Sequence, residues 1–271
     1  MALLSLRRVA KSFATPGGST CVLRDLDLDV HEGELVAIVG ASGSGKTTLV
    51  SLIAGLIAPD AGEILFDGQP VQEPAPERGI VFQNYSLLSW MSVLDNVQLA
   101  VDAVSRQVPA AQRRARAEEL IRLVNLGAAM HKRPHQLSGG MRQRVAVARG
   151  LAMEPRLLLL DEPFSALDAL TRATLQEELA RIWLERRTTM ILITNDVEEA
   201  VLLADRIHPL MPGPAARLGP EIAVPLPRPR ARRRLNDDPA YRAIRRQVLE
   251  CLVHHRQAGA ARSAEPEALS A

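Results

Sequence analysis

A glycine-rich segment near the start of the chain has the residue types and spacing of a phosphate-binding loop. It follows an apolar run of strand length, residues 34–39, and precedes apolar residues at helical spacing from Leu49 to Leu56. In that context backbone N–H groups curl around a phosphate, and the helix N-terminus adds positive potential. We expect Lys46 to reach the β- and γ-phosphates of a nucleotide, and Thr47 to place its hydroxyl on Mg²⁺. The loop consists of Gly40, Ala41, Ser42, Gly43, Ser44, Gly45, Lys46, Thr47 and Thr48.

A second polar cluster, Ser138, Gly139 and Gly140, stands just before a helical run from Met141 to Met153. A hydroxyl and bare N–H groups at a positive helix end are suited to receive a phosphate. A simple helix N-cap would explain the serine but not the paired glycines. A phosphate loop alone is compatible with kinases, GTPases, helicases and transport motors, so this second cluster decides the class. The sequence at 137–144 resembles the signature sequence of the ATP-binding cassette (ABC) family.

The resemblance implies that ATP is held between two subunits, with the serine and glycines of one chain closing on the γ-phosphate bound by the other. Asp161 and Glu162 follow the apolar run 157–160 and look like the family's second nucleotide motif. By this resemblance Asp161 holds Mg²⁺ through water, and Glu162 polarises the water that attacks ATP. Asp168 ends a segment that resembles the family's interface loop. One chain would therefore provide two half-sites for ATP.

Three isolated residues are assigned by the resemblance alone. Gln83 follows an apolar stretch, 79–82, and resembles the glutamine that bridges Mg²⁺ and the transporter surface. Phe13 is similar to the aromatic residue that stacks on adenine, although an isolated Phe in a strand is more often a core residue. Asn195 stands where most of the family has a histidine. Its amide can donate a hydrogen bond to the γ-phosphate but cannot carry a charge, so we expect slower activity or a partner subunit with histidine, while Glu162 argues against an inactive site.

The elements that position these residues alternate between strand and helix patterns. Short antiparallel strands are predicted from Leu3 to Val30, with a Pro-Gly-Gly turn at 16–18. Strand patterns at 157–160 and 190–194 are each followed by a helical pattern, which indicates parallel βαβ units. The resemblance therefore implies an α/β fold: a P-loop NTPase core with a RecA-like parallel sheet, an N-terminal antiparallel β-subdomain and an inserted α-helical subdomain.

We predict an ABC ATPase domain over 1–207, with its helical subdomain at about 84–140, and a Pro/Arg-rich tail over 208–271. Seven of the 18 prolines fall between Pro209 and Pro229, and an arginine cluster spans 228–234. A C-terminal amphipathic helix is predicted over 238–253. A solvated basic linker is one interpretation of the arginine cluster, and a sensor of anionic lipid or of a regulator is the other.

Composition excludes several classes of protein. The chain has 271 residues, of which 47% are hydrophobic and 24% are charged, as in an ordinary folded protein. A net charge of +2 gives no reason to expect nucleic acid as a partner. The apolar runs are far shorter than the roughly 18 residues that span a bilayer, and Arg7 and Arg8 interrupt any secretory signal. Cys21 and Cys251 lack metal-ligand spacing, so free thiols are expected.

Within the ABC family we expect a transport subunit, because translation and repair members usually have two cassettes or a long coiled-coil insertion. The expected partners are a second ATPase subunit, identical or related, and the transmembrane permease subunits. A periplasmic or lipid-anchored substrate-binding protein would act indirectly. Tyr85, Leu88 and Trp90 either receive a short permease helix or pack within the helical subdomain. Such a chain is peripheral and lies on the cytoplasmic face of the inner (plasma) membrane.

Three stretches, within 194–200, 208–220 and 227–239, resemble the ATPase subunits of nitrate importers. These importers belong to the branch of the family that imports nitrate, sulfonates and taurine. The stretches have no side-chain chemistry that would contact nitrate. The expectation of an ATP hydrolase that energises uptake of nitrate, nitrite or cyanate therefore rests on the resemblance. Import of sulfonate or taurine is the alternative in the same branch, and a soluble regulatory ABC ATPase is the alternative from another class.

Overall fold

The computed structural model describes residues 1–16, 18–211, 215–230, 232 and 237–262, with side chains described as far as Val253 in the last helix. The chain divides into two compact units. The first unit comprises Met1–His31, Val36–Gln72 and Thr194–Ala271, and the second comprises Glu32–Leu35 and Glu73–Ile193. The boundary predicted at residue 207 between a domain and a tail stays a prediction.

An antiparallel sheet occupies the N-terminal part of the first unit. It contains β1 (Leu4–Thr15), β2 (Gly18–Val30), β4 (Ala61–Phe66) and β5 (Gln69–Pro70), in the order β2-β1-β4-β5. This confirms the predicted antiparallel entry sheet, but β1 and β2 are longer than the short strands expected. The register of β1 shifts between Leu6 and Val9, where Arg8 adopts a φ of 47°. Such bulges let one strand bend without ending.

The first unit also contains parallel strands. Strand β3 (Leu35–Gly40) pairs in parallel with β9 (Arg206–Met211), and all six residues of β3 are buried. A strand that is buried on both faces has a continuous apolar sequence, as residues 35–39 have. Strands β10 (Arg217–Leu218) and β11 (Ile222–Ala223) both pair with β9 in the antiparallel sense. Helix α1 (Lys46–Ile53) follows β3 after the glycine-rich loop.

The second unit has its own parallel strands. Strand β7 (Leu157–Asp161) pairs in parallel with β6 (Arg78–Val81) and with β8 (Thr189–Thr194). The predicted strand–helix–strand order is confirmed, because α5 (Ala169–Arg186) connects β7 to β8. The short helix α6 (Val197–Leu203) follows β8 and belongs to the first unit.

The predicted helical insertion consists of α2 (Val93–Val104), α3 (Ala110–Leu123) and α4 (Gly139–Ala152), which pack on one another. Short 3₁₀ turns at Gly127–Ala129 and Pro134–Gln136 connect the last two helices. The first turn of α2 is fixed by a capping box between Ser92 and Asp95. The buried amide of Asn96 bonds both the N–H and the C=O of Leu88, which ties the preceding loop to the helix.

The C-terminal helix α7 (Pro239–Arg262) packs against α6 and β9. Its residues Tyr241, Ile244 and Val248 are buried, within the range 238–253 for which an amphipathic helix is predicted. The interpretation of the arginine cluster as a solvated linker is wrong for Arg228 and Arg230, because both guanidinium groups bond backbone carbonyls in the first unit. Residues 233 and 234 lie outside the described residues.

Two further findings concern membranes and thiols. None of the helices in the ranges described above combines the length and the hydropathy that crossing a bilayer requires. Cys21 and Cys251 are free thiols, as expected from the sequence, and both are half-buried.

Candidate functional site

The glycine-rich loop between β3 and α1 has the backbone of an anion cradle. Gly43 and Gly45 have φ angles of 78° and 90°, which L-residues with a side chain rarely adopt. A Cβ atom on Gly45 would lie 2.8 Å from the Leu23 side chain, so only glycine lets the loop approach β2 so closely. The N-terminus of α1 has neither a side-chain cap nor an acidic residue in its first turn. An anion is therefore favoured at this helix end.

Lys46 is positioned by this loop. The side chain is 5% exposed, and its Nζ donates hydrogen bonds to the carbonyls of Gly40 at 2.9 Å and Ala41 at 2.8 Å. These bonds hold the ammonium group inside the curve of the loop, where a phosphate would meet it. Thr47 is exposed, so its hydroxyl is accessible from solvent.

In the second unit the carboxyl end of β7 brings three of the predicted site residues together. Asp161 is 4% exposed and ends the strand. Glu162 adopts a φ of 45°, and its N–H donates to the carbonyl of Ile193 at 2.8 Å. This left-handed conformation turns the glutamate at the end of the strand, and such strain is characteristic of functional sites. Gln83, placed by resemblance alone, has its Nε2 3.4 Å from Glu162 Oε2 and 3.3 Å from Ser165 Oγ.

The predicted phosphate receptor stands at the N-terminus of α4. Ser138 is the exposed N-cap, and its Oγ accepts a hydrogen bond from the N–H of Met141 at 3.3 Å. A simple N-cap does not explain the paired glycines. A Cβ on Gly140 would lie 2.4 Å from Thr171 Cγ2 in α5, and one on Gly139 would lie 3.3 Å from the Leu167 side chain. Both glycines therefore allow α4 to pack closely on the segment that begins α5.

Asp168 caps the N-terminus of α5. Its carboxylate accepts hydrogen bonds from the N–H groups of Leu170 at 3.1 Å and Thr171 at 3.0 Å. The hydroxyl and the amide of Thr171 lower the pKa of Asp168, so this carboxylate is ionised at neutral pH. The neighbouring Leu170 is exposed, as a residue of a protein–protein contact would be.

Phe13 and Asn195 lie in the first unit and are both accessible. Phe13 is 41% exposed on β1, with the Lys11 ammonium 5.7 Å from its ring centroid, so it is not a core residue. Asn195 is exposed between Thr194, the last residue of β8, and Asp196, the N-cap of α6. The structure thus places the loop, Phe13 and Asn195 in one unit, and the other predicted residues in the second unit.

The residues predicted to bind a metal ion offer hydroxyl, amide and carboxylate oxygens. In the part of the chain that the structure describes, no three His, Cys, Asp or Glu side chains form a metal-binding cluster. The hydroxyl belongs to Thr47, the amide to Gln83 and the carboxylate to Asp161. Mg²⁺ is usually bound by one or two carboxylates together with water and substrate phosphates, so each of these oxygens is of a type that Mg²⁺ accepts.

Arg149 on α4 is a residue near the candidate site that was not predicted from the sequence. Its guanidinium donates to the carbonyls of Tyr85, at 2.9 Å, and Ser86. Both acceptor residues have positive φ angles, 63° and 46°, so the arginine supports a strained loop two residues after Gln83. Burial lowers the pKa of Arg149. The available signal was an arginine within an otherwise apolar helix segment, 145–152.

Comparisons with known proteins agree on one family. Residues 23–165 match the family described as ABC transporter. The chain is 48% identical over 244 residues to the nitrate import ATP-binding protein NrtD of Synechococcus elongatus, covering 90% of this chain and 89% of that protein. It is 45% identical over 253 residues to the bicarbonate transport ATP-binding protein CmpD of Synechocystis sp., covering 93% and 90% respectively. It spans 39% and 37% of two longer relatives.

A solved structure with the same fold is the dimeric ATP-binding cassette MJ0796 in a post-hydrolysis state bound to ADP and Pi. The TM-score is 0.73 and the sequence identity is 30%, over 82% of this chain and 98% of that chain. This likeness confirms the predicted α/β fold class.

Replacing Lys46 with alanine tests the loop. We expect Lys46→Ala to lower ATP affinity by about 100-fold or more, because a buried ammonium that contacts phosphate through charge-assisted bonds is lost. Titration with a fluorescent ATP analogue measures the affinity, and circular dichroism monitors the fold. Lys132→Ala is the matched control, since Lys132 is exposed and distant in sequence. Unchanged affinity in Lys46→Ala would contradict the assignment.

Proposed function

This chain belongs to the ABC transporter family and is an ATP hydrolase of that family, and we propose that it energises the import of a small inorganic anion, with nitrate as the first candidate. The observation that supports nitrate is the 48% identity to a nitrate import ATP-binding protein across 90% of this chain. Bicarbonate is the second candidate, because a bicarbonate transport ATP-binding protein is 45% identical over a similar share. Nitrite and cyanate are small anions of the same class, whereas sulfonate and taurine become the weaker alternatives.

For ATP binding, we propose that the loop Gly40–Thr48 holds the β- and γ-phosphates. The loop amides and the Lys46 ammonium supply positive charge, and the buried position of the ammonium strengthens its interaction with phosphate oxygens. Phe13 offers an accessible ring for stacking on adenine.

For hydrolysis, we propose Glu162 as the group that polarises the attacking water. Its carboxylate lies 3.4 Å from Gln83 Nε2, and the residue follows the buried Asp161 directly. Thr47, Gln83 and Asp161 are the proposed ligands of Mg²⁺, which when bound neutralises negative charge on the phosphate oxygens. Asn195 is proposed to hold the γ-phosphate by a hydrogen bond from its amide.

We propose that the active site is shared with a second ATPase subunit, either identical or related. Ser138, Gly139 and Gly140 would close on the nucleotide bound by that subunit, and Asp168 would lie at the subunit contact. The proposal is supported by the exposure of Ser138 at a helix N-terminus and of Leu170 beside Asp168. The relative MJ0796 is described as a dimer.

We propose that the remaining partners are transmembrane permease subunits, which place the chain at the cytoplasmic face of the inner (plasma) membrane as a peripheral subunit. Trp90 is 67% exposed in the segment after Gln83, which favours permease contact over core packing for this residue. Leu88, by contrast, is half-buried, and its backbone N–H donates a hydrogen bond to Asn96. This residue therefore packs within the helical subdomain. A substrate-binding protein would act on the permease without contacting this chain.

The transported anion is tested by ATP hydrolysis in the reconstituted transporter with its substrate-binding protein. We expect nitrate to raise the ATPase rate several-fold above the basal rate, while taurine and alkanesulfonate leave it unchanged. Nitrite, cyanate and bicarbonate are tested in the same assay. Stimulation by bicarbonate alone would select the second candidate. An active chain that never co-purifies with a membrane subunit would instead support a soluble regulatory ATPase.

Glu162→Gln tests the catalytic group. An amide of the same shape cannot accept a proton from water, so we expect ATP binding to persist while turnover falls by about 100-fold or more. The variant is then expected to accumulate as an ATP-bound dimer. Phosphate release and light scattering measure the two effects, with the exposed Glu177→Gln on α5 as control. A variant that stays monomeric with ATP and turns over normally would refute the shared site.

Asn195 is tested by two substitutions. Histidine can gain charge as the γ-phosphate leaves, and charge-assisted bonds are about twice as strong as neutral ones. We therefore expect Asn195→His to raise kcat roughly tenfold, which corresponds to about 1–2 kcal/mol, and Asn195→Ala to lower it. ATPase assays of the assembled transporter measure both. Unchanged turnover of the alanine variant would show that Asn195 has no part in the cycle.

A further inference from the structure

Helix α6 is a short element next to a proposed active-site residue. It has seven residues and begins after Asn195 and its N-cap Asp196. The Asp196 carboxylate accepts hydrogen bonds from the N–H groups of Glu198 at 2.8 Å and Glu199 at 3.2 Å, so the N-cap is fixed relative to the helix. Any shift of α6 therefore moves the residue that precedes the cap.

The C-terminal end of α6 is held by Arg230. A helix leaves its last carbonyls without intrahelical partners, and in so short a helix these are a large share of the backbone. The Arg230 side chain donates to five carbonyls at 2.6–3.3 Å: those of Val201, Leu202, Ala204, Val224 and Leu226. One guanidinium thus joins the last turn of α6 to the segment that follows β11.

Arg228 completes this arrangement. Its Nη2 donates to the carbonyl of Leu203 at 2.6 Å and to the Asp205 carboxylate at 2.8 Å. Together the two arginines bond four consecutive carbonyls at the end of α6, residues 201–204. Positive charge at a helix C-terminus is also favoured by the helix dipole.

The first turn of α6 is held by α7. Arg245 forms an ion pair with Glu198 at 3.3 Å. Tyr241 is buried, and burial together with the charge of Glu198 raises the pKa of the tyrosine. Residues from the C-terminal part of the chain therefore contact α6 at both ends.

We propose that Arg230 and Arg228 form a clamp that positions Asn195 through α6, so that these two arginines support the proposed ATPase site. The two arginines are positioning residues, since they act through the helix and not on the nucleotide. The inference rests on the proposed function in one respect, which is the role assigned to Asn195.

The chemistry of Arg230 suits it to bond two segments of the backbone at once. Burial and the nearby Arg228 lower the pKa of Arg230 to about 10, so the group remains charged at neutral pH. A buried charge is tolerated only when its donors are satisfied. Five carbonyls from two segments satisfy a planar guanidinium in one orientation, whereas the point charge of a lysine cannot reach both segments.

The test compares three variants of the full chain in the assembled transporter. Arg230→Met removes the donors but keeps an apolar stem, and Arg230→Lys keeps the charge without the planar fork. Arg242→Met is the matched control, because Arg242 lies on the exposed face of α7. Hydrogen exchange of 194–204 reports on α6, and kcat and KM for ATP report on the site.

We expect Arg230→Met to speed exchange in 194–204 about fivefold or more. We expect it to lower kcat roughly fivefold to tenfold, with KM for ATP changed by less than about twofold. The exchange rate and kcat of Arg230→Lys should lie between those of Arg230→Met and the wild type. Both quantities should be unchanged in Arg242→Met. Unchanged exchange in both Arg230 variants would overturn the clamp.

A double-mutant cycle separates positioning from general destabilisation. In an Asn195→Ala background, Arg230→Met should cause no further loss of kcat, because the residue that the clamp positions is gone. An equal loss of kcat in both backgrounds would overturn the proposal and assign Arg230 a purely structural role. Normal turnover of Asn195→Ala alone would refute the role proposed for Asn195, and with it the claim that the arginines position this residue. Hydrogen exchange would still decide whether the arginines hold α6.

Discussion

The candidate site and the residues that hold it depend on one constraint: the backbone N–H and C=O groups at the ends of helices need partners. A helix leaves its first N–H groups and its last carbonyls without intrahelical partners. At the N-terminus of α1 no side chain caps these amides, which favours an anion there, whereas at α4 the hydroxyl of Ser138 accepts a hydrogen bond from the N–H of Met141. At the C-terminus of α6 the carbonyls are bonded by Arg228 and Arg230. The same property of the helix thus favours anions at its N-terminus and cations at its C-terminus.

Close approach of neighbouring elements is the second determinant. Gly45 lies against the Leu23 side chain, and Gly140 lies against Thr171. A methyl group at either position would push two elements apart, and in tightly packed interiors such a displacement is not absorbed locally. These glycines therefore set the position of the glycine-rich loop relative to β2 and of α4 relative to α5. Their role is steric as much as conformational.

The parts that could be predicted from sequence are those specified by local pattern. The apolar run before the loop, the helical spacing after it and the four leucines before Asp161 each indicate one element in one context. Phe13 could not be distinguished from a core residue, because exposure depends on how the sheet is covered. Arg149 bonds the carbonyl of Tyr85 and Arg230 bonds that of Val201, so their surroundings follow from tertiary structure. The same reason explains the error of treating Arg228 and Arg230 as part of a solvated linker.

The pairing of β3 with β9 limits the order in which parts of the chain can fold during synthesis. Val36–Gly40 pairs with Arg206–Leu210, so this parallel pair waits until the ribosome has added most of the chain. At about 5–20 residues per second the delay is roughly 10–30 s. Most of the second unit, Glu73–Ile193, is continuous and emerges during that interval. Strand β3, apolar along its length, remains without its β9 neighbour throughout this interval, so an aggregation-prone segment is unpaired on the nascent chain.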